Sequence, residues 1–350
     1  MKIITCAPLP PPHGGIANWY RILQEEAPRQ DTEFLNIDTS PRKSIDGRSL
    51  FYRVVVQGLR MLKQYGELCR LIRKNPDARA AHITTSGQLA LVRDILFLNL
   101  LRRKGIRSVY HIHFGRIPEI FEKKGMEYKL LRKALTLASA TIAIDPKTYN
   151  ILSNETEVYY VPNPVREIKI KAAEEKKNIL FLGNVMYSKG VEELLTAWES
   201  VSEKYPEWTL TIAGFCENSY KEQLESRYSM KNVHLAGFMP HDAAMELLAE
   251  AAFLVLPSHT EGFPNVVIEA MMCEKAVLAT DVGAIADILS GDCGIVFQAK
   301  DIEALTGGLE RLISDPAVRE KMGRRGKEKA GTQYAADVVF RRYMEIWKAV

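Results

Sequence analysis

Two glutamates eight positions apart, Glu261 and Glu269, frame the stretch His259-Thr260-Glu261-Gly262-Phe263-Pro264-Asn265-Val266-Val267-Ile268-Glu269-Ala270. A strand-like run, Phe253 to Pro257, leads in, and helix-compatible Val266 to Cys273 leads out. Pro264 suits the first helical position, where its fixed φ fits and its missing N–H is not needed. The N–H groups of Gly262 to Val266 then become helix-start donors beside a glycine that lets a ligand come close, which suits a phosphate. Glu261 stands on the loop. Glu269 lies about one and a half turns into the helix, whose side chains lean back toward its start. Both carboxylates therefore reach one electropositive pocket, with phosphate for the amides and hydroxyls for the acids. The ligand this describes is a sugar nucleotide.

Three other segments carry candidates. In Phe181-Leu182-Gly183-Asn184-Val185-Met186-Tyr187-Ser188-Lys189-Gly190, Gly183 permits a tight strand exit and Lys189 can place a charge on a diphosphate. Pro12-His13-Gly14-Gly15-Ile16-Ala17 is a strand-to-helix turn whose glycines let N–H groups approach a phosphate or acceptor; alone it is a weak signal. In Tyr110-His111-Ile112-His113-Phe114-Gly115-Arg116, strand alternation sends His111 and His113 to one face. No carboxylate or cysteine spacing completes a metal set around them, so no metal is expected. His111 reads as a buried, hydrogen-bonded residue.

The elements that position these residues alternate throughout the chain, short apolar runs with helix-like stretches, as in parallel sheets covered by helices. Strands are expected at Lys2 to Cys6, Ala81 to Thr84, Ser108 to His113, Ala140 to Ile144 and Val158 to Val161. After the proline-rich step Pro162-Asn163-Pro164 a second series follows: Asn178 to Gly183, Thr209 to Gly214, Val233 to Gly237, Phe253 to Pro257, Ala276 to Thr280 and Gly294 to Phe297. The reading is an α/β protein with two doubly wound, Rossmann-like domains, residues 1–163 and 164–333. Ligands of such sheets bind at the carboxyl ends of the strands.

The pattern Ser258-x-x-Glu261-Gly262-Phe263-Pro264-Asn265-x-x-x-Glu269-Ala270, followed by Ala279-Thr280-Asp281-Val282-Gly283, closely resembles the Glu-x7-Glu signature of retaining glycosyltransferases of family 4 (glycosyl transferases group 1). The resemblance covers nearly the whole chain, strongly over 178–300 and more weakly before 165. It implies the GT-B fold, two such domains facing across a cleft, with the last helix, about 334–350, packed back on the N-terminal domain. It implies transfer of a hexosyl or N-acetylhexosaminyl unit from a nucleoside-diphosphate sugar to an acceptor hydroxyl with retention, without metal or other cofactor. In that scheme Glu269 binds the ribose, Glu261 the donor sugar, and Lys189 with Gly262, Phe263, Pro264 and Asn265 the diphosphate. Gly14 and Gly15 face the donor phosphate, and His113 stands near the donor sugar. Gly183 and Asn184 belong to the loop that carries the donor diphosphate, and Gly237 and Phe238 to the segment whose backbone reads the base. Asn184 stands where the family has an arginine. That departure keeps open a catalytically silent GT-B subunit; a sugar-nucleotide 2-epimerase would share the fold but lacks this Glu-x7-Glu context as a rule.

The 350 residues, 47% hydrophobic and 26% charged, are ordinary for a soluble protein of two domains. Five scattered cysteines support neither a disulfide framework nor a thiolate zinc site. The start, its apolar run cut by prolines, does not read as a signal peptide. The net charge of +4 conceals +10 in residues 1–165 and −6 in the remainder. Apolar runs abut the basic groups Arg102-Arg103-Lys104 and Lys129 to Lys133, which suits an anionic membrane surface as well as it suits solvated helix faces. No nucleic-acid module accompanies the charge. The expectation is a cytoplasmic enzyme, peripheral on the inner face of the membrane, with a glycan or lipid-linked acceptor in bacterial-type polysaccharide or glycolipid synthesis.

Overall fold

A computed structural model of the chain describes residues 1–9, 15–40, 50–168 and 174–350. It divides into two α/β units, residues 1–164 with 336–350, and residues 165–335. The five cysteines are free thiols.

The first unit contains β1 (Lys2–Ala7), α1 (Gly15–Glu26), β2 (Glu33–Asp38), α2 (Leu50–Lys74), β3 (Ala80–Thr85), α3 (Ala90–Arg103), β4 (Arg107–Ile112), α4 (Ile117–Lys123), α5 (Met126–Leu137), β5 (Ala140–Ala143), α6 (Pro146–Leu152) and β6 (Val158–Tyr160). Its strands pair in parallel in the order β2-β1-β3-β4-β5-β6. Pleating sends successive residues to opposite faces. Ile3 and Val109 therefore pack with Trp19 and Leu23 of α1, while Ile4 and Tyr110 pack with Leu98 and Leu101 of α3 and Leu131 of α5.

The second unit contains β7 (Asn178–Leu182), α7 (Val191–Lys204), β8 (Thr209–Ala213), α8 (Asn218–Arg227), β9 (Val233–Gly237), α9 (His241–Glu250), β10 (Phe253–Leu256), α10 (Asn265–Met272), β11 (Ala276–Thr280), α11 (Ile285–Ile288), β12 (Ile295–Phe297), α12 (Ile302–Ser314) and α13 (Pro316–Gln333). Strands buried on both faces, such as Phe-Leu-Val-Leu in β10, are continuous apolar runs because helices cover both sides. The order is β12-β11-β10-β7-β8-β9, all parallel. The winding reverses between β7 and β10, so the loops after these two strands leave in opposite directions, where α/β sheets hold ligands.

The closing helix α14 (Ala336–Ala349) belongs to the first unit, on the face that carries α1; Val339, Phe340, Tyr343, Ile346 and Trp347 are buried there. It begins later than the expected residue 334. Tyr334 stays with the second unit, its carbonyl accepting from Val165 N at 2.8 Å.

Candidate functional site

Both loops at the reversal carry predicted residues. After β7, Gly183 N donates to Ala213 O at 3.0 Å, and Asn184 is exposed. A 3-10 turn, Tyr187–Lys189, ends at Gly190, whose φ of 69° opens α7. A β-carbon on Gly190 would lie 1.9 Å from Pro257 O, so only glycine brings this loop against the end of β10. His259 N then donates to Ser188 O at 2.9 Å. Lys189 Nζ meets Glu261 Oε1 at 2.6 Å, and Ser258 Oγ donates to the same oxygen at 2.7 Å. Ser258 is itself fixed, since its carbonyl accepts from the Thr280 hydroxyl at 2.6 Å.

The loop beyond β11 closes the other side. Ala284 N donates to Gly262 O at 3.0 Å. Gly283, at φ 60°, approaches so closely that a β-carbon there would lie 2.5 Å from the carbonyl oxygens of both Glu261 and Gly262. The Asp281-Val282-Gly283 pattern thus has a reason the sequence reading did not supply: it backs the Glu261 loop.

Phe263 is buried with its ring 6.1 Å from that of Tyr334, which anchors the start of α10. Pro264 was expected at the first helical position. It instead flanks the helix, at φ −77° and ψ 101°, and α10 starts at Asn265, with Val267 N bonded to Pro264 O at 3.1 Å. The extended ψ is the reason: Pro264 turns the chain into the helix rather than joining it. Glu269 is buried, and its Oε1 accepts from His241 Nε2 at 3.0 Å. Gly237 ends β9, and Phe238 beside it is exposed.

In the first unit, Gly14 lies outside the described residues, and Gly15 is the first residue of α1. His113 follows β4, held by its N–H to Thr85 O at 3.1 Å. Its Nε2 lies 3.1 Å from His111 Nδ1, which lies 3.1 Å from His82 Nε2; the indole N–H of Trp347 donates to His82 Nδ1 at 3.0 Å. Burial lowers His82 and His113 to about 3 and His111 well below its usual range, so all three imidazoles are neutral at neutral pH. His113 is therefore equipped to exchange hydrogen bonds, not to deliver a proton. Among the described residues no group of three or more His, Cys, Asp or Glu could hold a metal ion.

Sequence reasoning missed three partners: His241 on Glu269, His82 in the imidazole chain, and Glu193, whose Oε1 lies 2.9 Å from His259 Nε2 and steadies the Glu261 loop. His259 and Glu193 are 66 positions apart, beyond any local pattern.

Residues 165–329, nearly all of the second unit, match the family described as glycosyl transferases group 1. The capsular polysaccharide biosynthesis glycosyltransferase CapM of Staphylococcus aureus is 26% identical over 181 residues, 51% of this chain and 47% of CapM. The chain spans about half the length of the curated relatives it matches. Sucrose-phosphate synthase from Thermosynechococcus elongatus is similar in structure with a TM-score of 0.75 at 16% identity, over 99% of this chain and 98% of that one. Anabaena Alr3699/HepE in complex with UDP gives 0.76 at 16% identity over 100% of both chains. The fold is that of GT-B proteins, two Rossmann-like units.

Proposed function

We propose that the chain is a retaining, metal-independent glycosyltransferase that moves a hexosyl or N-acetylhexosaminyl unit from a nucleoside-diphosphate sugar to an acceptor hydroxyl. The observation that carries this reading is the 2.6 Å contact of Lys189 with Glu261, made by the two loops at the reversal of the sheet beside the start of α10. A cation, a helix start and a carboxylate at that place suit a diphosphate and a hydroxylated sugar.

In this scheme the Glu269 carboxylate binds the ribose hydroxyls. Lys189 and the N–H groups at the start of α10 take the diphosphate, stabilising charge as it develops on the leaving group. Glu261, steadied by Ser258, accepts from donor-sugar hydroxyls, and the neutral His113 exchanges a hydrogen bond with the sugar. The acceptor oxygen bonds to the anomeric carbon on the face from which the diphosphate departs. The C–O bond to phosphate breaks with its electron pair, and the acceptor proton passes to the departing phosphate oxygen.

The family match and the likeness to CapM support glycosyl transfer in polysaccharide synthesis. In this reading the acceptor is a glycan or a lipid-linked glycan taken by the first unit. The HepE structures hold UDP and UDP-glucose, which makes uridine donors the first to test. The experiment is transfer or donor hydrolysis with UDP-, GDP- and ADP-sugars, with the product anomer read by NMR. Donor binding without turnover would mean a silent subunit, and an inverted product would rule out retention.

A further inference from the structure

A buried carboxylate needs a hydrogen-bonding partner, and Glu269, 8% exposed, has one in His241. A carboxylate only accepts, so His241 Nε2 carries the hydrogen of their 3.0 Å bond. His241 is the first residue of α9, four positions after Gly237, the residue that ends β9 with φ 70°. Helix α9 packs against α10, which brings the imidazole to Glu269 across 28 positions of sequence. The His241 side chain keeps 37% of its surface accessible while that of Glu269 keeps 11%, so the pair runs from the surface of the unit inward.

We propose that His241 is a ribose-positioning residue of the nucleotide site. By holding Oε1, it fixes the carboxylate in one orientation and leaves Oε2 to accept from the 2′- and 3′-hydroxyls of a nucleoside diphosphate. It also ties the segment that follows β9 to the ribose ligand, so base-side and ribose-side contacts are set together. This inference rests on the reading of Glu269 as the ribose ligand.

The test measures UDP, GDP and ADP and their 2′,3′-dideoxy counterparts by calorimetry on the whole protein. In the unaltered protein the best ribonucleotide should bind at least tenfold more tightly than its dideoxy form. His241→Phe keeps a ring but removes the donor; it should weaken the ribonucleotide about tenfold, as for a lost hydrogen bond to a charged group, and leave the dideoxy form unchanged. His241→Gln, whose amide nitrogen reaches about as far as Nε2, should restore most of the preference. A merely structural role would weaken both forms alike and would not respond to glutamine. Glu269→Gln separates the two ideas. If it abolishes the ribose preference while His241→Phe leaves it intact, the role of His241 is overturned and that of Glu269 survives. If Glu269→Gln leaves the preference intact, or no nucleoside diphosphate binds, the ribose reading falls and the inference with it.

Discussion

Lys189 Nζ lies 2.6 Å from Glu261 Oε1, so the loops that leave β7 and β10 in opposite directions are joined by one ion pair. Both side chains are largely buried, at 24% and 11% exposure. In the proposed scheme the two face different parts of one donor, so a diphosphate entering here draws Lys189 away from Glu261. The pair keeps each charge compensated until then, since an unpaired charge at such a site is costly.

Glu261→Gln is expected to lower kcat by about 10–1000-fold with little change in donor KM, as for loss of a contact made mainly in the transition state. Lys189→Ala should lower kcat and weaken the donor together. Because the two residues touch, the double variant should lose less than the product of the single effects. Steady-state kinetics on the four proteins tests this, and strict additivity would argue against a shared site.

Chelation gives the second prediction. With Lys189 and the α10 start supplying positive charge, activity should survive excess EDTA. Complete loss, restored by magnesium or manganese, would move the charge stabilisation to a metal.

Gly190→Ala should destabilise the second unit. Its φ of 69° disfavours any side chain, and the new methyl would collide with Pro257 O. Together these should cost about 2–4 kcal/mol, because backbone rather than a flexible side chain must move. Since Pro257 leads into the Glu261 loop, donor binding should weaken as well. Unchanged denaturant stability with full activity would contradict the packing described.

Much of the second unit was legible because its chemistry is local: strand, glycine, proline and helix around Glu261 fall within a dozen residues. What was missed is non-local or atypical. Strand β2, Glu33-Phe34-Leu35-Asn36-Ile37-Asp38, escaped because it is an edge strand with acids at both ends and no clean alternation. His241 and Glu269 meet only after two helices pack. The apolar run before Arg102, whose sequence suits an anionic membrane surface and a solvated helix face equally, instead sends Phe97, Leu98, Leu100 and Leu101 into the core of the first unit. Helix α3 packs against strands and both neighbouring helices, so its apolar residues go well beyond a single stripe.

The imidazole chain gives a pH dependence. Burial lowers His82 and His113 to about 3 when folded and holds His111 well below its ordinary range, against about 6.5 when unfolded. Between those values the unfolded chain binds more protons, so stability falls as pH falls below about 6.5. Each histidine removes up to about 1.4 kcal/mol per pH unit in that window. Tm should be nearly flat between about pH 7 and 8 and drop steeply from about 6.5 to 5, less steeply in His82→Gln. Scanning calorimetry over that range decides, and a Tm that does not move with pH would show the imidazoles are not held neutral.

The last prediction concerns the membrane. Among the described residues no helix is long and apolar enough to cross one. Leu98, Leu100 and Leu101, just before Arg102-Arg103-Lys104, are buried, so they cannot serve as a contact face. A different set is exposed: Val55, Leu59 and Leu62 along one stripe of α2, and Leu89, Val92 and Leu96 at the start of α3. Crossover helices of a parallel sheet run back from its carboxyl edge, so the early turns of α2 and α3 lie at the same edge of the first unit as His113, and Arg102 to Lys104 at the other. Around the stripe, α2 carries Arg60, Lys63, Arg70, Arg73 and Lys74 against one acid, Glu67. Each basic residue near an anionic surface contributes about 1 kcal/mol, and buried leucine surface adds about 25 cal/mol per Å2. The protein should therefore sediment with phosphatidylglycerol vesicles at low salt, bind neutral vesicles weakly, and be released as salt shortens the Debye length. Leu59→Ser with Leu62→Ser should reduce binding more than Arg102→Ser with Arg103→Ser. The reverse order would return the contact to the basic end of α3, and equal binding to neutral and anionic vesicles would leave the positive charge of this unit without a lipid partner.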